Sequence, residues 1–286
     1  MNLRILAAMR YTRRNPTLAV GIGLLLALVL FAGIGSIFVD TSRAYALSVP
    51  ASRLPSWEFP LGTDRQGRDL LAVMIAGTPL TLRIGLIAGT IGIFIGTVLG
   101  FASAYYRGAV DTIIRGSVDV LLTIPALMVM ILVAVAIKGG MSVNGMALVV
   151  SLLAWVWPTR TIRAQVLTMR ESGYIRVAQL SGMSSPEIIV KEMMPNLLPY
   201  LGASLVNAVA AAILASIGLE ALGLGPMEAP TLGMTIYWVL HYSALLHGMW
   251  WWWVPPIIII VTVFVGLFLL SKGLDELANP RVRRKV

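Results

Sequence analysis

The stretch Arg160–Asn196, RTIRAQVLTMRESGYIRVAQLSGMSSPEIIVKEMMPN, is a long charged interval in a chain whose other long segments are almost free of charge. It contains two short helical patterns that are separated at Gly182. A connection that only joined two membrane spans would not need so long a segment with caps and breaks of this kind. The interval therefore predicts an element outside the lipid that contacts a separate partner.

The first helical pattern in this interval has a compact apolar surface, which consists of Tyr174, Ile175, Val177, Ala178 and Leu180, with Arg176 among them. Gly182 can adopt the left-handed conformation that closes a helix, and Ser184 or Ser185 can cap the next one. The chain then re-enters the membrane near Pro195. This pattern predicts a short helix that lies across the membrane face and is rigidly coupled to two spans. An amphipathic helix that rests on lipid is the alternative.

The composition of the chain excludes an ordinary soluble domain. Hydrophobic residues make up 58% of the sequence and charged residues 12%, and the mean hydropathy is +0.85. The net charge of +9 fits membrane topology and contact with anionic headgroups. Nucleic-acid binding is not expected, because no basic patch is interleaved with aromatic residues.

Long uncharged runs follow one another along the chain: Pro16–Val39, Ile84–Tyr106, Val120–Ile137, Gly139–Thr159, Met193–Leu219 and a last run that ends at Ser271. A bilayer core of roughly 30 Å needs about 20 helical residues, so each run can cross once. We therefore expect an all-α polytopic membrane protein with six transmembrane helices. The interval Ala229–Ser271 is also long enough for an additional partial helix within 229–250.

The basic residues predict the orientation of the spans. An even number of crossings puts both termini on one side, and Lys and Arg mark the cytoplasmic side. That side would hold Arg4, Arg10, Arg13, Arg14, Arg107, Arg115, Arg160, Arg163, Arg170, Arg176, Lys191, Arg281, Arg283, Arg284 and Lys285. Both termini are therefore expected to be cytoplasmic. The Ala44–Ala46 triplet has the form of a signal-peptide cleavage site, but the long preceding apolar run favours a retained helix.

These boundaries divide the chain into four segments: a cytoplasmic N-terminal segment (1–16), the first span with an extracytoplasmic loop (17–80), a transmembrane core (81–272) and a basic cytoplasmic tail (273–286). Within the core, the charged loop 160–196 would be cytoplasmic and a second loop, 218–250, would be on the outer side.

Small residues and prolines predict how the spans pack. A glycine stripe on the second span comprises Gly85, Gly89, Gly92, Gly96 and Gly100, and small residues of the fifth span include Ala208, Ala211, Ala212 and Ala215. Such residues let another helix approach closely. Pro125 and Pro158 are expected to kink the third and fourth spans. The tryptophans Trp250–Trp253 suit a membrane–water boundary.

The sequence carries no pattern of residues typical of catalysis. The lysines lie outside any phosphate-binding GxxxxGK[ST] loop, so we expect no ATP site in this chain. His241 and His247 have no cysteine partners, and a metal site there is not expected. Asp119 has the i, i+4 spacing for an ion pair with Arg115.

Two segments carry a family resemblance. Tyr174–Ala178, Gly182 and Met194–Pro199 resemble the EAA loop of ABC-importer permeases, with Arg176 where glutamate is usual. Pro60–Asp69 is similar to the LGTDxxGRD signature of the second permease subunit of dipeptide, oligopeptide and nickel importers.

Further segments extend the resemblance over nearly the whole chain: Asp111 with Arg115, Val118–Leu121, Ile124–Pro125, Leu222–Gly225 and Asn279–Arg281. Leu232 stands where a tryptophan is usual.

This resemblance implies the type I ABC-importer permease fold and half of a translocation pathway for di- or oligopeptides. The partners would be a homologous second permease, two cytoplasmic ATPases that bind ATP and Mg²⁺, and an extracytoplasmic solute-binding protein. The chain would lie in a bacterial or archaeal inner membrane. The residues expected to contact the ATPase are Tyr174, Ile175, Arg176, Val177, Ala178, Leu180, Gly182 and Pro195.

The outer loops are the expected docking site for the binding protein, through Gly62, Asp64, Arg68, Asp69, Glu220, Gly223 and Gly225. Within the same class, oligosaccharides or nickel chelates are alternative substrates. Outside it, the alternatives are an ion-coupled secondary transporter, which would need charges at the middle of its spans, and a membrane enzyme, which would need convergent polar groups there.

Overall fold

The computed structural model describes residues 15–278. Within that range the regular secondary structure is helical, apart from one isolated bridge between Thr63 and Asp69. The helices are α1 (Pro16–Phe38), α2 (Leu70–Tyr106), α3 (Gly108–Thr123), α4 (Ala126–Ala136), α5 (Val143–Ala154), α6 (Val156–Arg170), α7 (Gly173–Leu180), α8 (Ser185–Ala221), α9 (Leu232–His241) and α10 (Trp250–Ala278), with a short 3₁₀ turn at Thr41–Ala44.

Four helices, α1, α2, α8 and α10, are long and apolar enough to cross a membrane. The pairs α3–α4 and α5–α6 raise the count to six if each bent pair is one span. The predicted all-α polytopic fold is confirmed. Residues 1–14 and 279–286 of the predicted terminal segments, which include the Asn279–Arg281 motif, lie outside the described residues.

Helix α2 begins at Leu70, well before the uncharged run that starts at Ile84. The Asp69 side chain caps it by accepting a hydrogen bond from the Leu71 N–H at 2.9 Å. Arg83 is exposed, and the helix continues through it, so this charge separates the uncharged run from the first part of α2 without ending the helix. The predicted boundary between 80 and 81 therefore falls inside α2, whose 37 residues extend over about 55 Å.

The two expected proline kinks are real, but only one is at the proline. α3 and α4 meet at 83° on either side of Ile124 and Pro125, because a residue before proline disfavours helical geometry. α5 and α6 meet at 42° around Trp155, before Pro158. Because Pro158 has no N–H group, it cannot donate a helical hydrogen bond to the Ala154 carbonyl. The missing hydrogen bond therefore weakens the helix one turn before the proline, at Ala154 and Trp155.

The glycine stripe of α2 packs against other helices, as predicted. A Cβ on Gly89 would lie 2.8 Å from the Val209 backbone nitrogen of α8, and one on Gly92 would lie 2.6 Å from the Ala154 carbonyl oxygen of α5. α2 is therefore in close contact with both α8 and the α5–α6 pair.

The end of the protein at which α2 begins is closed by α9 and by the start of α10. Helix α9 is the additional partial helix for which the sequence left room. Trp251 and Trp252 are buried, whereas Trp250 is exposed. The indole Nε1 of Trp251 donates to the Thr63 carbonyl at 3.3 Å, so these tryptophans also hold the 62–69 loop.

Candidate functional site

Helix α7 is attached to the rest of the protein through one apolar side. Ile175 and Ala178 are buried in a cluster with residues from the C-terminal end of α2, from α6 and from the start of α8. These neighbours are Phe101, Ala104, Tyr105, Ile162, Val166, Ile188, Met193 and Leu197. Two of the predicted ATPase-contact residues are thus internal.

The other side of α7 is open. Tyr174, Arg176, Val177 and Leu180 are exposed, with Val177 at 63% and Leu180 at 88%. Since large apolar side chains on a short helix gain nothing from exposure to water, this surface is suited to a protein partner. Gly182 and Pro195 are also exposed.

The end of α7 and the start of α8 follow the sequence prediction. Gly182 has a φ of +79°. The N–H groups of Gly182 and Met183 donate to the carbonyls of Gln179 and Ala178 at 3.0 and 3.2 Å. Ser184 and Glu187 then form a capping box, so the turn between α7 and α8 is fixed by hydrogen bonds at both ends.

Helix α8 carries the chain from this turn into the membrane without a break. Its residues Ile188–Met193 are π-helical, directly before Pro195. A proline cannot make the ordinary helical hydrogen bond, and a wider turn relieves the clash of its ring with the preceding turn. α7 is therefore joined directly to a transmembrane helix.

Ion pairs tie α6 to its neighbours beside α7. Arg163 donates to the two carboxylate oxygens of Asp111 at 2.6 and 2.7 Å, a bidentate geometry that fixes α6 against α3. Arg170 lies 5.6 Å from the ring centroid of Tyr105. The expected Arg115–Asp119 pair is absent from the ion pairs of residues 15–278; α6 brings Arg163 to α3, and Asp111 is the carboxylate it meets.

The loop Gly62–Asp69, which precedes α2, is largely buried. Asp64 and Arg68 are buried and form an ion pair, with 2.6 Å between Oδ2 and Nε. Burial raises the pKa of Asp69, which caps α2. Gly62 has a φ of +70° and lies against Trp251. The side chains of Asp64, Arg68 and Asp69 are buried and hold the loop together, and docking of a binding protein through this loop stays a prediction.

Glu220 is also buried, at the C-terminal end of α8. Its Oε2 accepts a hydrogen bond from the Thr231 hydroxyl at 2.5 Å, and Gly225 and Gly233 lie directly against the side chain. Gly223 has a φ of +79°. These residues shape the loop after α8, and the exposed side chains there are Leu222, Met227 and Glu228.

A groove of about 490 Å³ lies between α4, α5, α6 and α8. Its lining from α8 includes Ala208, Ala211, Ala212 and Ala215, residues that the sequence assigned to helix packing. Small side chains can either let two helices pack closely or leave space for a groove, and only the arrangement of the helices shows which of these roles they have. Asp275 of α10 also lines this groove, which sequence reasoning did not anticipate.

The sequence of this chain is similar to those of known proteins. Residues 92–284 match the family described as binding-protein-dependent transport system inner membrane component. A peptide transport system permease protein of Brucella suis is 31% identical over 98% of this chain and 92% of its own length. The dipeptide transport system permease protein of Bacillus subtilis is 30% identical over 97% of this chain and 86% of its own length.

The oligopeptide transport system permease protein of Bacillus subtilis is 26% identical over 97% of this chain and 90% of its own length. The family match covers more than half of the chain and includes α7 and the groove. The helical architecture and these matches together place the chain in the family of binding-protein-dependent transport system inner membrane components, as a multi-pass permease.

Proposed function

We propose that this permease forms half of the translocation pathway of an ATP-driven importer for peptides. The names of the peptide, dipeptide and oligopeptide permeases that it resembles over nearly its whole length support this substrate class. A homologous second permease would supply the other half. A solute-binding protein would deliver the peptide to the outer loops, and both termini would be cytoplasmic.

The observation that carries the proposal is the two-sided construction of α7. Its buried side is fixed to α2, α6 and α8, while Val177 and Leu180 point outwards. Two partner ATPases would bind ATP and Mg²⁺, and one of them would accept this exposed surface. Closure of the ATPases would move α7 and α8 together, and access to the groove would switch between two states.

The test uses the double variant Val177→Asp/Leu180→Asp. Two carboxylates on the exposed surface should markedly lower the amount of ATPase that co-purifies with the complex, because the ATPase that binds this chain loses its contact. Leu246→Asp is the matched control, because Leu246 is also 88% exposed and lies between α9 and α10, on the side opposite α7. The complex with Leu246→Asp should co-purify with the same amount of ATPase as the wild type. Normal co-purification by the double variant would contradict the proposal.

A further inference from the structure

Two cavities meet at Tyr200 and Asp275. The first is the groove of about 490 Å³, and the second is a cleft of about 850 Å³ that reaches Tyr174 of α7. Both residues line both cavities. Since α7 lies at the cytoplasmic end of α2 and α8, this junction is at the predicted cytoplasmic mouth of the groove.

The groove follows one face of α8. Its lining residues Tyr200, Ser204, Ala208 and Ala212 recur at a spacing of four, and the lining continues to Ala215. From Tyr200 to Ala215 an α-helix rises about 22 Å. An extended tripeptide is about 10 Å long, so a small peptide fits inside and must still pass the Tyr200–Asp275 junction before it leaves.

Asp275 supplies the negative charge of this route. Among the described residues that line the two cavities, the others are neutral, and the polar ones within the groove include Thr161, Ser204 and Asn207. The side chain of Asp275 is exposed to the cavity. Cationic side chains are frequent on this side of the protein and include Arg163, Arg170, Arg176 and Lys191, which would repel a departing cation.

We propose that Asp275 is a specificity-determining residue at the cytoplasmic exit, where its carboxylate binds the cationic group of a departing substrate, either an α-ammonium or a lysine side chain. This inference rests on the proposed function as a peptide permease. The attraction between opposite charges near a protein surface is large enough to change the relative rates for cationic and anionic peptides.

The experiment measures ATP-driven uptake of Ala-Lys-Ala, tri-alanine and Ala-Glu-Ala into proteoliposomes that contain the complete complex. The readout is the uptake ratio of Ala-Lys-Ala to Ala-Glu-Ala, because a purely structural defect lowers both rates equally. The same binding protein is used throughout, so its own preference cancels between variants. Asp275→Asn should lower the ratio by about five-fold, whereas Asp275→Glu should preserve it. Glu276→Gln is the control, since Glu276 is the adjacent acid and lines neither cavity.

Three other outcomes of this experiment would each overturn the role proposed for Asp275. An unchanged ratio in Asp275→Asn, with normal wild-type uptake, overturns this inference and leaves the proposed function intact. Loss of the second permease from the Asp275→Asn complex also overturns it, because Asp275 would then be an interface residue. If the wild-type complex takes up none of the tripeptides, the peptide assignment fails, and this inference fails with it.

Discussion

Asp64 and Arg68 are buried side by side in the loop before α2, where their contact of 2.6 Å compensates for the solvation that both charges lose. The Arg68 Nη2 atom has no hydrogen-bond partner among the described residues. Removing one member of such a pair leaves the other charge buried and uncompensated, which costs more than the pair itself contributes. The motif therefore matters first for the structure of the loop.

Asp64→Asn should lower the free energy of unfolding by about 3 kcal/mol, because the amide cannot neutralise Arg68. Glu171→Gln is the control. Glu171 pairs with Arg107 at the same distance of 2.6 Å, but both side chains are about half exposed, and such a pair contributes at most about 1 kcal/mol. Thermal unfolding in detergent measures both variants, and equal losses would contradict the structural role of Asp64.

Gly92→Ala should destabilise the protein by about 1–3 kcal/mol, because the new methyl group meets the Ala154 backbone and α2 must move away from α5. Gly33→Ala in α1 is the matched control, since nothing lies within 4 Å of its added methyl group. The measurement is the melting temperature of each purified variant. Equal melting temperatures would show that the close approach of α2 and α5 is not required.

At the scale of secondary-structure elements, α7 separates buried from exposed apolar residues within eight positions. Ile175 is fully buried against α2, α6 and α8, while Val177 two residues later is exposed. The apolar pattern in the sequence marked both as one surface. Tertiary packing divides them, because the helix buries only the side that faces the membrane spans.

Ile175→Asp should lower the melting temperature markedly, because it places a carboxylate in an apolar cluster without a partner. Val177→Asp should leave it almost unchanged, since the new charge remains in water. Thermal unfolding of the isolated permease compares the two. A large loss in Val177→Asp would mean that the exposed side of α7 is itself part of the folded core.

Some elements were predictable and others were not. Gly182 and Ser184 fix the turn between α7 and α8 through local hydrogen bonds, so the sequence alone predicts them. The start of α2 at Leu70 was missed, and the bend expected from Pro158 lies at Trp155, three residues before the proline. A single charge can be tolerated inside a long helix, and the effect of a proline is felt a turn earlier along the chain.

At the scale of the whole molecule, α2 connects the two faces of the membrane. Its first residue follows the Gly62–Asp69 loop, its glycines contact α5, α6 and α8, and its last turn packs against α7. A rearrangement at α7 therefore bears directly on the helices that line the groove. The groove itself could not be predicted, because it depends on residues distant in sequence, such as Thr161 and Asp275, that only the folded arrangement brings together.

Cross-linking tests most directly whether the exposed side of α7 contacts the ATPase. The chain contains no cysteine, so Leu180→Cys introduces a unique thiol for a maleimide photo-cross-linker, and Leu246→Cys provides an equally exposed control. We predict that the assembled complex yields an adduct with the ATPase at position 180, with and without ATP, and none at position 246. A transport-competent complex that gives no ATPase adduct at position 180 in any nucleotide state would contradict the claim.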